Sequence, residues 1–254
     1  MRIIISPAKK MRADPDSLDC RALPCFLEKT DRLRTALCAL SYDELKRLWK
    51  CSDAIAAQNL ERLQGMELRR GLTPALLAYE GIQYRCMAPE VFTWAEYEYL
   101  QEHLRILSGF YGLLRPFDGV TPYRLEMAAR LALDGAKDLY GFWGGSIAQA
   151  LFAETDTIIN LASREYSLCV TRYPRPGVRV VTCLFAEEGE GKPVEKGTLC
   201  KMARGEMVRW MAENAVTTPE QLRDFSRQGY RFSPERSDEN TYLFLRRPVP
   251  ARKP

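Results

Sequence analysis

The sequence predicts an α/β fold: one domain over 1–254, with a mixed β-sheet flanked by helices and an inserted helical lobe at about 25–70. Three observations predict it. Short apolar runs rich in β-branched residues recur from "RIIIS" at the start to "TYLFLRR" near the end. Segments with apolar residues at helical spacing stand between them. No linker, repeat or low-complexity block interrupts the alternation.

Taken in order, "RIIIS" (2–6) reads as a buried strand that ends in a polar turn, Pro7 to Lys10. Residues 26–64 read as helices. Ser41 with Glu44 three residues on is a capping box, and Leu45, Leu48 and Trp49 follow at helical spacing. Ser52 opens the next helix, with Ile55, Ala56, Leu60 and Leu63 on one face. The short break at "KCS" makes the pair a tight αα-hairpin. "ALLAYEGIQY" (75–84) reads as a strand. Thr93 and Glu96 form a second capping box, opening a helix that runs to the strand "LRILS" (104–108). "YGFWGGSIAQALF" (140–152) becomes helical after its glycines, "TIINLAS" (157–163) and "VRVVTCLFAEE" (178–188) are strands, and "EGEGKP" is a turn. Residues 198–214 form a helix with Leu199, Met202, Ala203, Met207, Trp210 and Met211 as its stripe. A short helix starts at Thr218–Pro219, and "YRF" and "TYLFLRR" close the fold. The basic, proline-rich tail at about 246–254 is expected to fray.

Composition narrows the function. A hydrophobic content of 46% supports a real core. No run approaches the ~20 apolar residues of a membrane helix, and the three leading isoleucines are too few for a signal peptide. A cytoplasmic protein with no membrane partner is the expectation, and a monomer is favoured. The eight cysteines contain no CxxC pair and are expected to be reduced and mostly buried. The single histidine, His103, rules out a multi-histidine metal site and reads as a helix-end or packing residue. Neither a metal nor a cofactor is expected. Acid–base chemistry would fall to Asp, Glu, Lys, Tyr or Cys.

The net charge of +4 permits an anionic partner without demanding one. Its distribution says more. Residues 104–130 hold four arginines and two acids, in "LRILSGFYGLLRPFDGVTPYRLEM" and the residues after it. Arg115 and Arg124 could each offer a planar fork to phosphate, or pair inside the fold with Asp118 and Glu126. Gly109 and Gly112 could admit a phosphate to backbone N–H groups or simply let the chain turn. Ser6 and Lys9 stand where α/β folds place ligand groups, although on spacing alone Lys9 and Lys10 read as solvating a loop. Asn160, Ser163, Glu165 and Tyr166 cluster at a strand end. Lys201 and Arg204, three residues apart on a helix, read either as a solvated face or as a basic face turned to an anion.

These segments resemble the YaaA family, also called DUF328 or UPF0246, the peroxide stress proteins. The match runs through "IISPAK" (4–9), "SD" (52–53), the long run 104–127, "KDLYGFW" (137–143), "INLAS" and "EY" (159–166), "ARGEM" (203–207) and "GYRF" (229–232). Lys10–Met11, Cys200 and Arg164 depart from the usual residues. The resemblance implies a cytosolic bacterial protein that protects against hydrogen peroxide by limiting iron and the damage iron drives. It also implies a helix–hairpin–helix element, best placed at 41–64 despite its glycine-free turn, and a positive cleft for double-stranded DNA. Ser6, Lys9, Arg115, Tyr123, Arg124, Asn160, Lys201 and Arg204 are the expected lining.

The resemblance brings no reaction, so whether the protein is an enzyme stays open. One reading is a DNA-binding stress protein without chemistry. Another is an enzyme acting on a nucleobase or a damaged nucleotide, a small nucleotide-like ligand, with Lys9 as nucleophile and Asp118 or Glu165 as acid or base. That reading requires Lys9 within hydrogen-bond reach of a carboxylate in a closed pocket. Direct iron sequestration is a third reading, for which the spacing offers no ligand pattern.

Overall fold

The computed structural model describes residues 1–189 and 192–248; the end of the basic tail and part of "EGEGKP" lie outside the described residues. The strands in chain order are Arg2–Ile5 (β1), Lys10–Met11 (β2), Thr73–Pro74 (β3), Tyr79–Glu80 (β4), Leu104–Ser108 (β5), Gly112–Leu114 (β6), Gly119–Val120 (β7), Thr157–Asn160 (β8), Arg179–Glu187 (β9), Arg231–Phe232 (β10) and Thr241–Arg246 (β11). The α-helices are Leu27–Cys38 (α1), Tyr42–Trp49 (α2), Asp53–Gln64 (α3), Ala75–Ala78 (α4), Ile82–Met87 (α5), Trp94–His103 (α6), Leu139–Trp143 (α7), Ser146–Glu154 (α8), Arg164–Thr171 (α9) and Gly197–Glu213 (α10).

The three isoleucines of β1 are fully buried, which suits a strand covered on both faces in the middle of a sheet. It lies in a seven-stranded mixed sheet of order β10-β11-β9-β8-β1-β5-β6. The five inner strands are parallel, and an antiparallel strand closes each edge, β6 on β5 and β10 on β11. Helices flank the sheet, so the domain is α/β.

This topology decides what can meet. The ends of β1, β5 and β8 all emerge at one edge of the sheet, where such folds leave a crevice. β6 runs back against β5, so Arg115–Asp118 emerge at the opposite edge. The chain then returns through β7, which pairs with β3, to reach Arg124–Met127. The run 104–127 therefore crosses the molecule three times. Gly109 permits the return: a Cβ there would lie 2.5 Å from the carbonyl oxygen of Leu125.

Local signals explain the helices. Both capping boxes form, with Ser41 before α2 and Thr93 before α6. Leu45, Trp49, Ala56 and Leu63 pack the α2–α3 hairpin, and Lys50 turns it in the left-handed region at φ 46°. His103 ends α6, its Nδ1 3.0 Å from the carbonyl oxygen of Met1.

Several expectations need correction. "ALLAYEGIQY" is not one strand but the short helix α4, the two-residue β4 and the helix α5. A short apolar run buried on all sides carries no period to separate strand from helix. The helix around 140–152 also starts earlier, since α7 precedes the glycines. On α3, Ile55 points outward at 41% exposure while Asn59 is buried, its Nδ2 bonded to the carbonyl oxygen of Ile55. Only three of the eight cysteines are buried (Cys169, Cys183 and Cys200); all eight are free thiols. No helix of the described residues is long and apolar enough to cross a membrane.

Candidate functional site

The edge where β1, β5 and β8 end carries a cleft of about 560 Å³. The turn after β1 makes one side and the start of α9 the next. α5 and α10 make the far wall. Ser6 ties the first two together: its Oγ accepts from Ser163 N at 2.8 Å and donates to Ser163 Oγ at 3.2 Å. Tyr84 OH, on α5, donates to the carbonyl oxygen of Ser6 at 3.1 Å.

Two glycines let the far wall close up. A Cβ on Gly81 would stand 3.0 Å from Ala8 Cβ. On Gly205 it would stand 2.1 Å from the carbonyl oxygen of Gln83, so α10 and α5 meet backbone to side at that point. Arg204 is delivered into the cleft by the same turn of α10.

Five cations (Lys9, Lys10, Arg85, Lys201 and Arg204) and three carboxylates (Glu80, Glu126 and Glu165) line the cleft. The carboxylates are engaged. Lys10 holds Glu80 at 2.8 Å. Lys9 and Arg124 hold Glu126 at 3.3 and 3.0 Å. Glu165 Oε1 accepts from Ala128 N at 3.1 Å. Among the described residues, Arg85, Lys201 and Arg204 face the cleft with no carboxylate partner. Burial lowers the pKa of Arg204, opposed by the nearby Cys200 and Glu195.

The structure thus brings together Ser6, Lys9, Glu165, Lys201 and Arg204. Tyr123 and Arg124 border a small recess that opens beside Lys9. Tyr123 points its hydroxyl inward, 2.6 Å from Ser108 Oγ and 2.9 Å from Tyr79 OH. Asn160 is 3% exposed and braces the strand ends, accepting from Ala162 N at 3.0 Å and donating to Thr182 Oγ1 at 3.2 Å. It does not line the cleft.

Arg115 and Asp118 do not join the cleft, because β6 carries them to the opposite edge. Asp118 is 3% exposed and accepts from Arg115 N at 2.8 Å. Arg115 Nη2 lies 3.6 Å from Glu154 Oε1. Glu80 and Gln83 lie inside the segment 75–84 that reads as a strand, and Arg85 follows it; the Gly81 break within that apolar run was the available signal.

Burial pushes the Asp118 carboxyl up to about 6, against the hydrogen bond from Arg115 N. An acid whose folded pKa exceeds its unfolded value binds more protons when folded. Its contribution to stability therefore falls as pH rises from about 4 to about 6. Asp118→Asn removes that loss. Urea unfolding of the two proteins across this window should show the parent losing on the order of 2–3 kcal/mol relative to the variant.

Among the described residues no group of three or more His, Cys, Asp or Glu stands close enough to hold a metal ion, so direct iron binding gains no support from geometry.

Comparison with known proteins places these features in context. The family model described as Peroxide stress protein YaaA matches residues 1–236. A UPF0246 protein of Lachnoclostridium phytofermentans is 51% identical over 97% of this chain and 96% of its own. A UPF0246 protein of Desulfitobacterium hafniense is 50% identical over 97% and 98%. One from Agathobacter rectalis is 49% identical over 97% and 99%.

Proposed function

Because the chain belongs to the peroxide stress protein YaaA family, we propose that it serves the bacterial response to hydrogen peroxide as a cytoplasmic protein that binds double-stranded DNA along this cleft and so limits iron-driven damage. One observation carries the reading: Arg85, Lys201 and Arg204 line a concave surface whose carboxylates are already engaged elsewhere. Unpaired cations in a crevice attract a polyanion. The α2–α3 hairpin would serve as the helix–hairpin–helix element. It adjoins the site, since Arg124 Nη2 reaches the carbonyl oxygen of Trp49 at 3.5 Å.

The link to iron follows from the same contacts. A protein that neutralises phosphates releases the counterions condensed on them. Ferrous ion held on the duplex in this way would leave it, and its reaction with peroxide would then occur away from the sugar.

Titration of labelled duplex at several salt concentrations tests the reading. Three phosphate contacts predict a slope of log affinity on log salt of roughly −3, independent of sequence, and Lys201→Gln shallower by about 0.9. Salt-insensitive binding, or none at low salt, would sink it.

A second reading rests on Lys9, whose Nζ stands 3.3 Å from Glu126 Oε1. A lysine amine that gives its proton to a neighbouring carboxylate can attack the C1′ of a nucleotide as its base departs, or condense with an open-chain sugar aldehyde and release water. The partner is Glu126, not Asp118 or Glu165. Lys9 is 68% exposed, however, and the cleft is open, which favours binding over chemistry. Lys9→Arg separates the two. A binding role predicts that DNA affinity and peroxide survival persist; an enzymatic role predicts that survival is lost while affinity stays, because arginine does not deprotonate.

A further inference from the structure

Among the described residues, six buried side-chain polar atoms lack a hydrogen-bond partner: Trp49 Nε1, Gln83 Nε2, Arg124 Nε, Glu126 Oε1, Arg204 Nε and Gln228 Oε1. Such atoms are rare because folding strips them of water without replacement. Gln83 and Arg204 line the cleft, and Arg124 and Glu126 line the recess beside Lys9. Glu126 Oε1 keeps its ion contacts, but their angles leave it without a directed hydrogen bond.

Two of these atoms share one wall. Gln83 is 7% exposed, and its side-chain amide donates to nothing. Gly205, the residue after Arg204, packs against the Gln83 carbonyl oxygen, and the side chains of Gln83 and Arg204 both line the cleft. Across from them, α9 begins at Ser163. The first backbone N–H groups of a helix have no intrahelical acceptor, and the Ser163 side chain makes no capping bond to them. Ser163, Glu165 and Tyr166 bring that helix start to the cleft.

We propose that the floor of this cleft is a discrete site for a phosphomonoester, the terminal phosphate of a mononucleotide or of a 5′ strand end, held by Arg204, by Gln83 Nε2 and by the first amides of α9. Three sides supply donors, and a phosphomonoester has three terminal oxygens to meet them. Its double negative charge matches a floor whose nearest cations, Arg204 and Lys201, lack carboxylates. A diester inside a continuous strand has only two free oxygens and one charge. The cleft volume of about 560 Å³ lies within the range of small-ligand pockets and accommodates a nucleoside behind the phosphate.

The proposal rests on reading the cleft as an anion site, but not on duplex binding along its rim. Titration calorimetry with inorganic phosphate, adenosine 5′-monophosphate and adenosine tests it, with nicked duplexes carrying or lacking a 5′-phosphate as a second arm. Phosphate and the monophosphate should bind and adenosine should not. Preference for the monophosphate names the free nucleotide as the source; preference for the phosphorylated nick names the strand end. Gln83→Met keeps the size of the side chain and removes the amide, and should weaken binding roughly tenfold or more. Arg204→Gln should abolish it, and Arg204→Lys, which keeps the charge, should restore part of it. Equal binding of adenosine and its monophosphate, no binding of any phosphate, or wild-type affinity in folded Gln83→Met would overturn the proposal. Intact-duplex binding without monophosphate binding would overturn it and leave the DNA reading standing.

Discussion

Replacing Glu154 by alanine lowers the stability of the fold by about 3–5 kcal/mol. Glu154 Oε2 accepts from Arg2 Nε at 2.9 Å and from Arg105 Nε at 2.9 Å, and Arg105 Nη2 also contacts it. Arg105 is 2% exposed, near the start of β5. Its Nη1 satisfies the carbonyl oxygens of Gln101 and Leu104, which fixes it in place. Without the carboxylate, the buried guanidinium keeps its charge and loses its partner. Arg2 and Arg115 then add repulsion. The effect depends on pH with a definite sign. Burial opposes ionisation of Glu154, but hydrogen bonds from Arg105 and Arg2 outweigh it and hold its pKa below the usual value. Its stabilisation is present above the unfolded pKa, near 4.5, and fades as pH falls through the lower folded value. Urea unfolding at pH 7 and in acid measures both. The comparison variant is Glu98→Ala, whose partner Arg21 lies at the surface, and it should cost far less.

Gly205→Ala should cost about 3 kcal/mol, the upper end of over-packing penalties, because neither contact can yield. The new Cβ would stand 2.1 Å from the Gln83 carbonyl oxygen and 3.0 Å from Met87 N, both backbone atoms. α10 and α5 must separate, which also moves Arg204 away from Gln83. Anion affinity should therefore fall together with thermal stability. Gly197→Ala, at the start of α10 with open space around it, should be neutral or stabilising by up to about 1 kcal/mol. Equal melting temperatures for the two variants would refute the close-contact argument.

The elements best read from sequence are those whose signal is local. Ser41–Glu44 and Thr93–Glu96 announce helix starts because both halves of the capping box lie within four residues. The strands read at 157–163 and 178–188 stand out by their β-branched runs. Segment 75–84 failed because its burial comes from neighbours distant in sequence, including Gly205 on α10. Site residues divide in the same way. Ser6 and Lys9 follow a parallel strand, and the rule for such folds places them at a crevice. Arg115 and Asp118 sit in the same motif as Arg124 and Glu126, yet the antiparallel β6 sends them to the far edge. Linear spacing cannot show that reversal. Gln83, Arg85 and Glu80 became visible only once α5 was seen to face α10.

A crystal structure of the protein with a short duplex tests the central claim most directly. The account predicts duplex phosphates along the cleft within hydrogen-bond distance of Lys201 and Arg85, with a 5′-terminal phosphate, where the duplex carries one, at Arg204 and the start of α9. A duplex bound on another face, with the cleft still open to solvent, would contradict it.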